Sequence, residues 1–273
     1  MDREVLIALI AGVLQGIFEW LPISSEGNLA IALTAIGSNP ESAVAYALFL
    51  HLGTAVSASV YYRDELRAVF SSVRAWQPQS AFKSETATLS FLGVATAASG
   101  VTGVCAYLVL EQLVSKLTGG TFVALIGLLL IVTGLVQRFA DSLSFGGQPH
   151  PTFGDAILVG ALQGLAILPG VSRSGTTTSA LLLRGYDGPA SFRLSFLLSI
   201  PAAIGGGAIA MLDTGGIPNL TPAAALVALA TAALVGYFTI DALMRLVKQV
   251  PFWGVCVGLG ALAVFGGVGL LLV

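Results

Sequence analysis

The chain has 273 residues, of which 56% are hydrophobic and only 10% charged, and its mean hydropathy is +0.91. Those values exclude an ordinary soluble protein of this length and point to a polytopic membrane protein. Twelve basic residues against 14 acidic ones leave no basic surface for nucleic acid and no acidic tail.

The amino terminus, Met1-Asp2-Arg3-Glu4, has neither the basic region nor the small-residue cleavage site of a signal peptide, so the first apolar stretch is expected to be retained. A bilayer core of about 30 Å needs roughly 20 helical residues to cross it. Six charge-poor runs meet that length: 42 to 62, 86 to 110, 117 to 137, 194 to 212, 214 to 240 and 249 to 273. Four runs are shorter: 5 to 18 and 27 to 40 around one polar break, and 156 to 172 and 174 to 183 around another. Short apolar runs joined by a break suit half-helices that dip into the membrane and return. The predicted fold is therefore an all-α polytopic membrane protein with six transmembrane helices and two re-entrant helical hairpins, forming a single integral membrane domain over residues 1 to 273. Cys105 and Cys256 both fall in apolar segments, where a free thiol acts as a small hydrophobe, and carry no disulfide or metal role.

The two halves also echo each other. Setting Gly12–Asn28 over Gly160–Thr176 gives six identities in 17 positions: Gly12/Gly160, Leu14/Leu162, Gln15/Gln163, Gly16/Gly164, Ser24/Ser172 and Gly27/Gly175. A weaker match pairs Phe49-Leu50 with Phe196-Leu197. Repeats at 1–140 and 152–273, each one hairpin plus three crossings, have an odd number of crossings, which inverts the second copy. Inverted repeats place their site near the midplane, where broken helices meet.

Loop charges set the orientation. With the amino terminus outside, the cytoplasmic face receives Arg63, Arg67, Arg74, Lys83, Arg138, Arg184, Arg193, Arg245 and Lys248, and the outer face only Arg3 and Lys116. Both termini are then extracytoplasmic, the first hairpin opening outward and the second to the cytoplasm. Arg63–Glu85 reads as a solvated connector, and Ser142–Pro151 as the linker between repeats.

The polar breaks carry the chemistry. Each sets ionisable and hydroxyl side chains in sequence apolar enough for bilayer depth, where an uncompensated charge costs at least about 2.5 to 3.5 kcal/mol. Glu19 and Arg173 therefore need partners or a water-filled cavity, and sharing one cavity satisfies both. Ser172-Arg173-Ser174-Gly175-Thr176-Thr177-Thr178 opens a half-helix, so free backbone N–H groups, the helix dipole, a guanidinium and several hydroxyls converge as an anion cradle suited to phosphate. The competing structural reading is a simple N-cap with Arg173 paired to a carboxylate. The first break supplies Glu19 as general base or metal ligand, Gln15 one turn earlier on the same face, then Ser24, Ser25, Glu26 and Asn28. His51, in mid-span, reads more readily as a buried, hydrogen-bonded histidine than as a catalytic one. The glycines at 205–207 and at 266, 267 and 269 are expected to let helices approach closely.

Gln-x-x-x-Glu followed by Leu-Pro-Ile-Ser-Ser-x-Gly, with Pro-Gly-x-Ser-Arg-Ser-Gly-x-Thr about 140 residues further on, resembles the undecaprenyl-diphosphatase, or bacitracin-resistance, family over essentially the whole chain. The resemblance implies a plasma-membrane phosphatase that removes the terminal phosphate of a polyprenyl diphosphate at the extracytoplasmic face. That reaction recycles the lipid carrier for peptidoglycan and other cell-envelope polymers. The resemblance also implies a divalent cation, Mg²⁺ or Ca²⁺, with Glu19 as a ligand. Carried over residue by residue, it implies a catalytic set of Gln15, Glu19, Ser24, Ser25, Ser172, Arg173, Ser174 and Thr177; within it Glu19, Ser25 and Arg173 are expected to do the chemistry, and the others, with Glu26, Asn28, Gly175 and Thr176, to bind the substrate. A homodimer is compatible with the sequence, which does not set the oligomeric state.

This chain departs from the family pattern at Asn28, where family members usually carry His. An amide neither titrates nor serves well as a nucleophile. Either Ser25 attacks with Glu19 as its base, or Glu26 takes over proton transfer, or activity is reduced; the sequence favours Ser25. The alternative from another class is a transporter or flippase of polyprenyl phosphate, since broken helices in inverted repeats are transporter architecture.

Overall fold

The computed structural model describes residues 3–83, 86–117, 119–142, 147–218, 220–247 and 249–271. Every regular element among the described residues is helical. In chain order these are α1 (Arg3–Phe18), α2 (Ser25–Ala35), α3 (Pro40–Tyr61), α4 (Arg63–Ser71), α5 (Ala87–Val114) and α6 (Gly119–Ser142). They are followed by α7 (Phe153–Leu165), α8 (Arg173–Leu183), α9 (Gly188–Asp213), α10 (Pro222–Val247) and α11 (Phe252–Leu271). Six of them, α3, α5, α6, α9, α10 and α11, are long and apolar enough to cross a membrane. The chain is a multi-pass membrane protein.

The short helices form two pairs, α1 with α2 and α7 with α8, each joined by a polar turn. Helix α1 packs on α10 and α7 on α5, while α3 packs on α9 and α6 on α11. Small residues make these approaches close. Gly12 and Gly16 on α1 leave no room for a Cβ against Ala228 and Gly236 of α10, and Gly160 and Gly164 on α7 do the same against Ala95 and Gly103 of α5. Between α6 and α11, Gly120, Gly127 and Gly134 recur every seven residues and meet the backbones of Gly267, Gly260 and Trp253. Lipid gives helices no hydrophobic reason to associate, so backbone-to-backbone packing through small residues supplies the contact. Of the glycines expected to do this, Gly207 (against Leu52) and Gly267 (against Gly120) do; a Cβ at Gly205, Gly266 or Gly269 would meet open space. Helices α3 and α9 hold the centre, while α5, α10 and α11 turn side chains such as Val101, Phe238 and Phe265 outward.

Two sequence expectations are revised. The crossing expected at 214–240 begins only at Pro222 and runs to Val247, because Gly215 and Gly216 take left-handed backbone at φ 68° and 152° and end α9 first. That helix carries Asp241 and Arg245 within it. Asp241 accepts a hydrogen bond from Tyr61 of α3, a partner the charge-free criterion could not foresee. The supposed connector after Arg63 is partly helical: α4 is strongly amphipathic, and its Glu65 pairs with Arg193 of α9 at 2.8 Å. Within the expected linker Ser142–Pro151, residues 143–146 lie outside the described residues, as does Lys248.

At the base of the α7–α8 pair, Asp155 is fully buried and accepts from Thr152 N–H at 3.0 Å, Tyr186 Oη at 2.6 Å and Arg184 Nε at 2.5 Å. Burial and that adjacent carboxylate hold the Tyr186 hydroxyl above its ordinary range. This latch ties the start of α7 to the end of α8 and so fixes how the intervening turn is presented.

Candidate active site

The turns of the two short pairs touch. Ser24 sits in left-handed backbone (φ 59°, ψ 83°), a conformation costing a non-glycine residue about 1 to 2 kcal/mol, and two hydrogen bonds to its side chain hold it there. Its Oγ accepts from Gly27 N–H at 3.3 Å, capping α2, and from Gly170 N–H at 3.1 Å in the other turn. A Cβ on Gly27 would lie 2.6 Å from Gly170 N, so glycine is what lets the turns meet. Ser174 Oγ reaches Leu21 O at 3.4 Å to close the contact.

That contact brings Glu19 and Arg173 together. Arg173 Nη2 donates to Glu19 Oε1 at 2.6 Å, and Glu19 Oε2 accepts from Gln15 Nε2 and Ser25 Oγ, each at 2.9 Å. Both charged side chains are largely enclosed, at 4% and 13% exposure for Glu19 and Arg173. A buried ion pair holds only when further hydrogen bonds satisfy its remaining atoms, and here Gln15 and Ser25 do so on the carboxylate side. Arg173 Nη1 remains buried without a partner, a donor available to a ligand oxygen.

Glu19, Ser25 and Arg173 line a small cavity with Ser24, Glu26, His51, Ser172 and Ser174. Through Glu26, His51, Ala166 and Arg173 it continues into an apolar groove holding about 830 Å³ of free space, open solvent included. Leu48, Gly103, Val104, Pro201 and Ile209 are among the walls of that groove. A charged pocket at the mouth of an apolar groove fits an amphiphile with an anionic head.

The remaining sequence-derived residues divide by what their polar atoms do. Ser172 Oγ accepts from Gly175 N–H at 3.2 Å and caps α8, while its own N–H lies 3.4 Å from Thr133 Oγ1. Gly175 is pressed against Gln137, Thr176 is half-buried and does not line the cavity, and Thr177 shares a hydrogen with Ser195 at 2.6 Å on α9. Asn28 donates both its amide bonds to backbone, to Ile23 O at 2.7 Å and Ser24 O at 3.0 Å, so it braces the first turn.

His51 is hydrogen-bonded within its helix, as the sequence reading expects, and it also faces the cavity. Its Nδ1 is 2.8 Å from Ala47 O, and its Nε2 lies 3.4 Å from Glu19 Oε2. The signal was present: a polar ring in the middle of a crossing needs a partner for the same reason that Glu19 and Arg173 do. Gln137 was passed over altogether. Its Nε2 donates to Pro22 O at 2.7 Å from α6 and props the first turn from behind.

For a divalent cation the two carboxylates of the cavity differ. Both oxygens of Glu19 already accept hydrogen bonds, whereas Glu26 Oε1 is buried with no partner. Among the described residues no three His, Cys, Asp or Glu side chains cluster closely enough to enclose an ion. The residues fit a cation held by one carboxylate and completed by water and phosphate oxygens, as Mg²⁺ commonly is.

The fold and site define a multi-pass membrane protein with an acid, a guanidinium and a hydroxyl gathered where the turns of two short helix pairs meet. Residues 8–262 match the family described as bacitracin resistance protein BacA, and the chain belongs to that family. It is similar to an undecaprenyl-diphosphatase of Haloarcula marismortui, 56% identical over 266 residues that cover 97% of this chain and 98% of that protein. An undecaprenyl-diphosphatase of Methanococcoides burtonii is 39% identical over 94% of this chain and 96% of its own length. One from Halothermothrix orenii is 32% identical over 90% of each.

Proposed function

We propose that this chain is a membrane phosphatase that hydrolyses an undecaprenyl-type polyprenyl diphosphate to the monophosphate and inorganic phosphate, recycling the lipid carrier of cell-envelope synthesis. The observation that carries the reading is the Ser25–Glu19–Arg173 arrangement at the mouth of an apolar groove. The names of the relatives support the substrate class.

In this reading the prenyl chain lies in the groove and the diphosphate enters the cavity. Arg173 Nη1 and the N-terminal turn of α8 meet the phosphate oxygens, through a guanidinium and a positive helix end. Glu19 takes the proton of Ser25 as its Oγ attacks the terminal phosphorus, and the lipid monophosphate leaves. Water then frees the phosphate from the serine, and the proton held by Glu19 returns to Oγ. Arg173 and Gln15 keep the carboxylate aimed at Ser25. A divalent cation, Mg²⁺ or Ca²⁺, supplies charge neutralisation when bound with the diphosphate.

We also assign the two short pairs as re-entrant hairpins of inverted repeats, 1–140 and 152–273. The matched packing of α1 on α10 and α7 on α5 supports this. The excess of basic residues on one set of loops supports a plasma-membrane site facing the extracytoplasmic side. Purified protein given a polyprenyl diphosphate tests the activity. Release of one phosphate per lipid, lost in Ser25→Ala, is expected, and a folded wild-type protein that releases none overturns the proposal.

A further inference from the structure

Glu26 is the carboxylate of the cavity that the proposed chemistry leaves unused. It is 5% exposed, lies in the first turn of α2, and lines both the cavity and the groove. Its Oε1 is buried without a hydrogen-bond partner. The two side chains best placed to neutralise it, Arg173 and His51, are both directed at Glu19 instead. Two carboxylates therefore face one guanidinium before any substrate enters, and a diphosphate adds several more negative charges. A buried carboxyl left open beside an anionic ligand is relieved either by a proton or by a cation, and only the cation also neutralises the incoming diphosphate.

We infer that Glu26, and not Glu19, is the carboxylate that holds the divalent cation accompanying the diphosphate. The inference rests on the proposed diphosphate site. Glu19 already accepts from Arg173, Gln15 and Ser25, which leaves it about one acceptor site, and those bonds are what make it a base. Glu26 gives up nothing. Because among the described residues no three His, Cys, Asp or Glu side chains cluster closely enough to enclose an ion, the remaining coordination positions fall to water and to phosphate oxygens. The cation and the diphosphate then complete each other's sites, and each raises the affinity for the other by the same factor.

The test uses Mn²⁺ as probe, read by its electron paramagnetic resonance signal with full-length protein in detergent, with and without a non-hydrolysable prenyl diphosphonate. Wild type is expected to bind Mn²⁺ at least about tenfold more tightly when the diphosphonate is present. Glu26→Gln, close in size and shape, should weaken that binding by roughly 10- to 100-fold, whereas Glu19→Gln should keep it while losing turnover. Glu26→Asp, which retains a carboxylate, should recover part of the binding and guards against a Gln variant that misfolds. Mn²⁺ binding unchanged in Glu26→Gln, or lost in Glu19→Gln alone, or absent from wild type in both conditions, overturns the inference. Phosphate release is measured separately: wild type that binds Mn²⁺ through Glu26 but hydrolyses nothing refutes the phosphatase and leaves the cation site standing.

Discussion

Arg173 and Glu19 are 154 residues apart in the chain and 2.6 Å apart in space. One lies at the start of α8, the other just past the end of α1, and the pair exists because the two turns touch through Ser24 and Gly170. Removing either partner leaves the other charge buried and unpaired, at a cost of about 3 to 5 kcal/mol. Arg173→Ala should therefore lower thermal stability in detergent, and Arg173→Ala with Glu19→Gln should recover most of it. A double variant less stable than either single one would show that the pair is not coupled.

Ser25 should be dispensable for folding and indispensable for turnover. Ser25→Ala removes one of the hydrogen bonds on Glu19 Oε2 but leaves those from Gln15 and Arg173, so the carboxylate stays in place. Phosphate release should fall by at least roughly 10³-fold with little change in melting temperature. Ser25→Cys, which keeps a nucleophile, is expected to retain more activity than Ser25→Ala.

Ser24 should matter for the scaffold. Ser24→Ala keeps the left-handed strain and loses the bonds from Gly27 and Gly170, each contributing about 1 kcal/mol. Ser24→Gly loses the same bonds but relieves about 1 to 2 kcal/mol of strain. Thermal melts should rank wild type above Ser24→Gly, and Ser24→Gly above Ser24→Ala. An Ala variant more stable than the Gly variant would contradict this account of the turn.

Asn28 should prove a brace. Its amide donates to two backbone carbonyls of the first turn, so Asn28→Ala is expected to cost about 1 to 3 kcal/mol of stability. Phosphate release per folded molecule should stay within a few-fold of wild type. A loss of activity on the scale of Ser25→Ala, with stability intact, would place Asn28 in the chemistry.

Much of this was legible in the sequence, for a physical reason. The six crossings show as charge-poor runs, since a bilayer tolerates little else. The polar breaks around Glu19 and Arg173 stand out because ionisable groups are costly at that depth. Side-chain roles within the breaks were less legible. Ser24, Ser172 and Ser174 read as phosphate donors and all three line the cavity; that the oxygens of Ser24 and Ser172 also cap α2 and α8, and that Ser174 reaches Leu21 O, is what the sequence did not show. Hydroxyl residues serve caps and ligands equally well, and only the partner decides. The extent of α10 escaped because Asp241 finds Tyr61 on a helix 180 residues earlier, a pairing no local pattern encodes. Gln137 escaped because its partner, Pro22, lies on another element, and the approach of His51 to Glu19 escaped for the same reason.

The most direct measurement of the central claim is inorganic phosphate released from a C55 polyprenyl diphosphate by the purified protein, compared with Arg173→Lys and Glu19→Gln. If the guanidinium grips the diphosphate while the carboxylate drives Ser25, wild type turns over. Each variant, confirmed folded by its melting curve, then falls by about 10² to 10³ or more. Hydrolysis at wild-type rates in both variants would contradict the account.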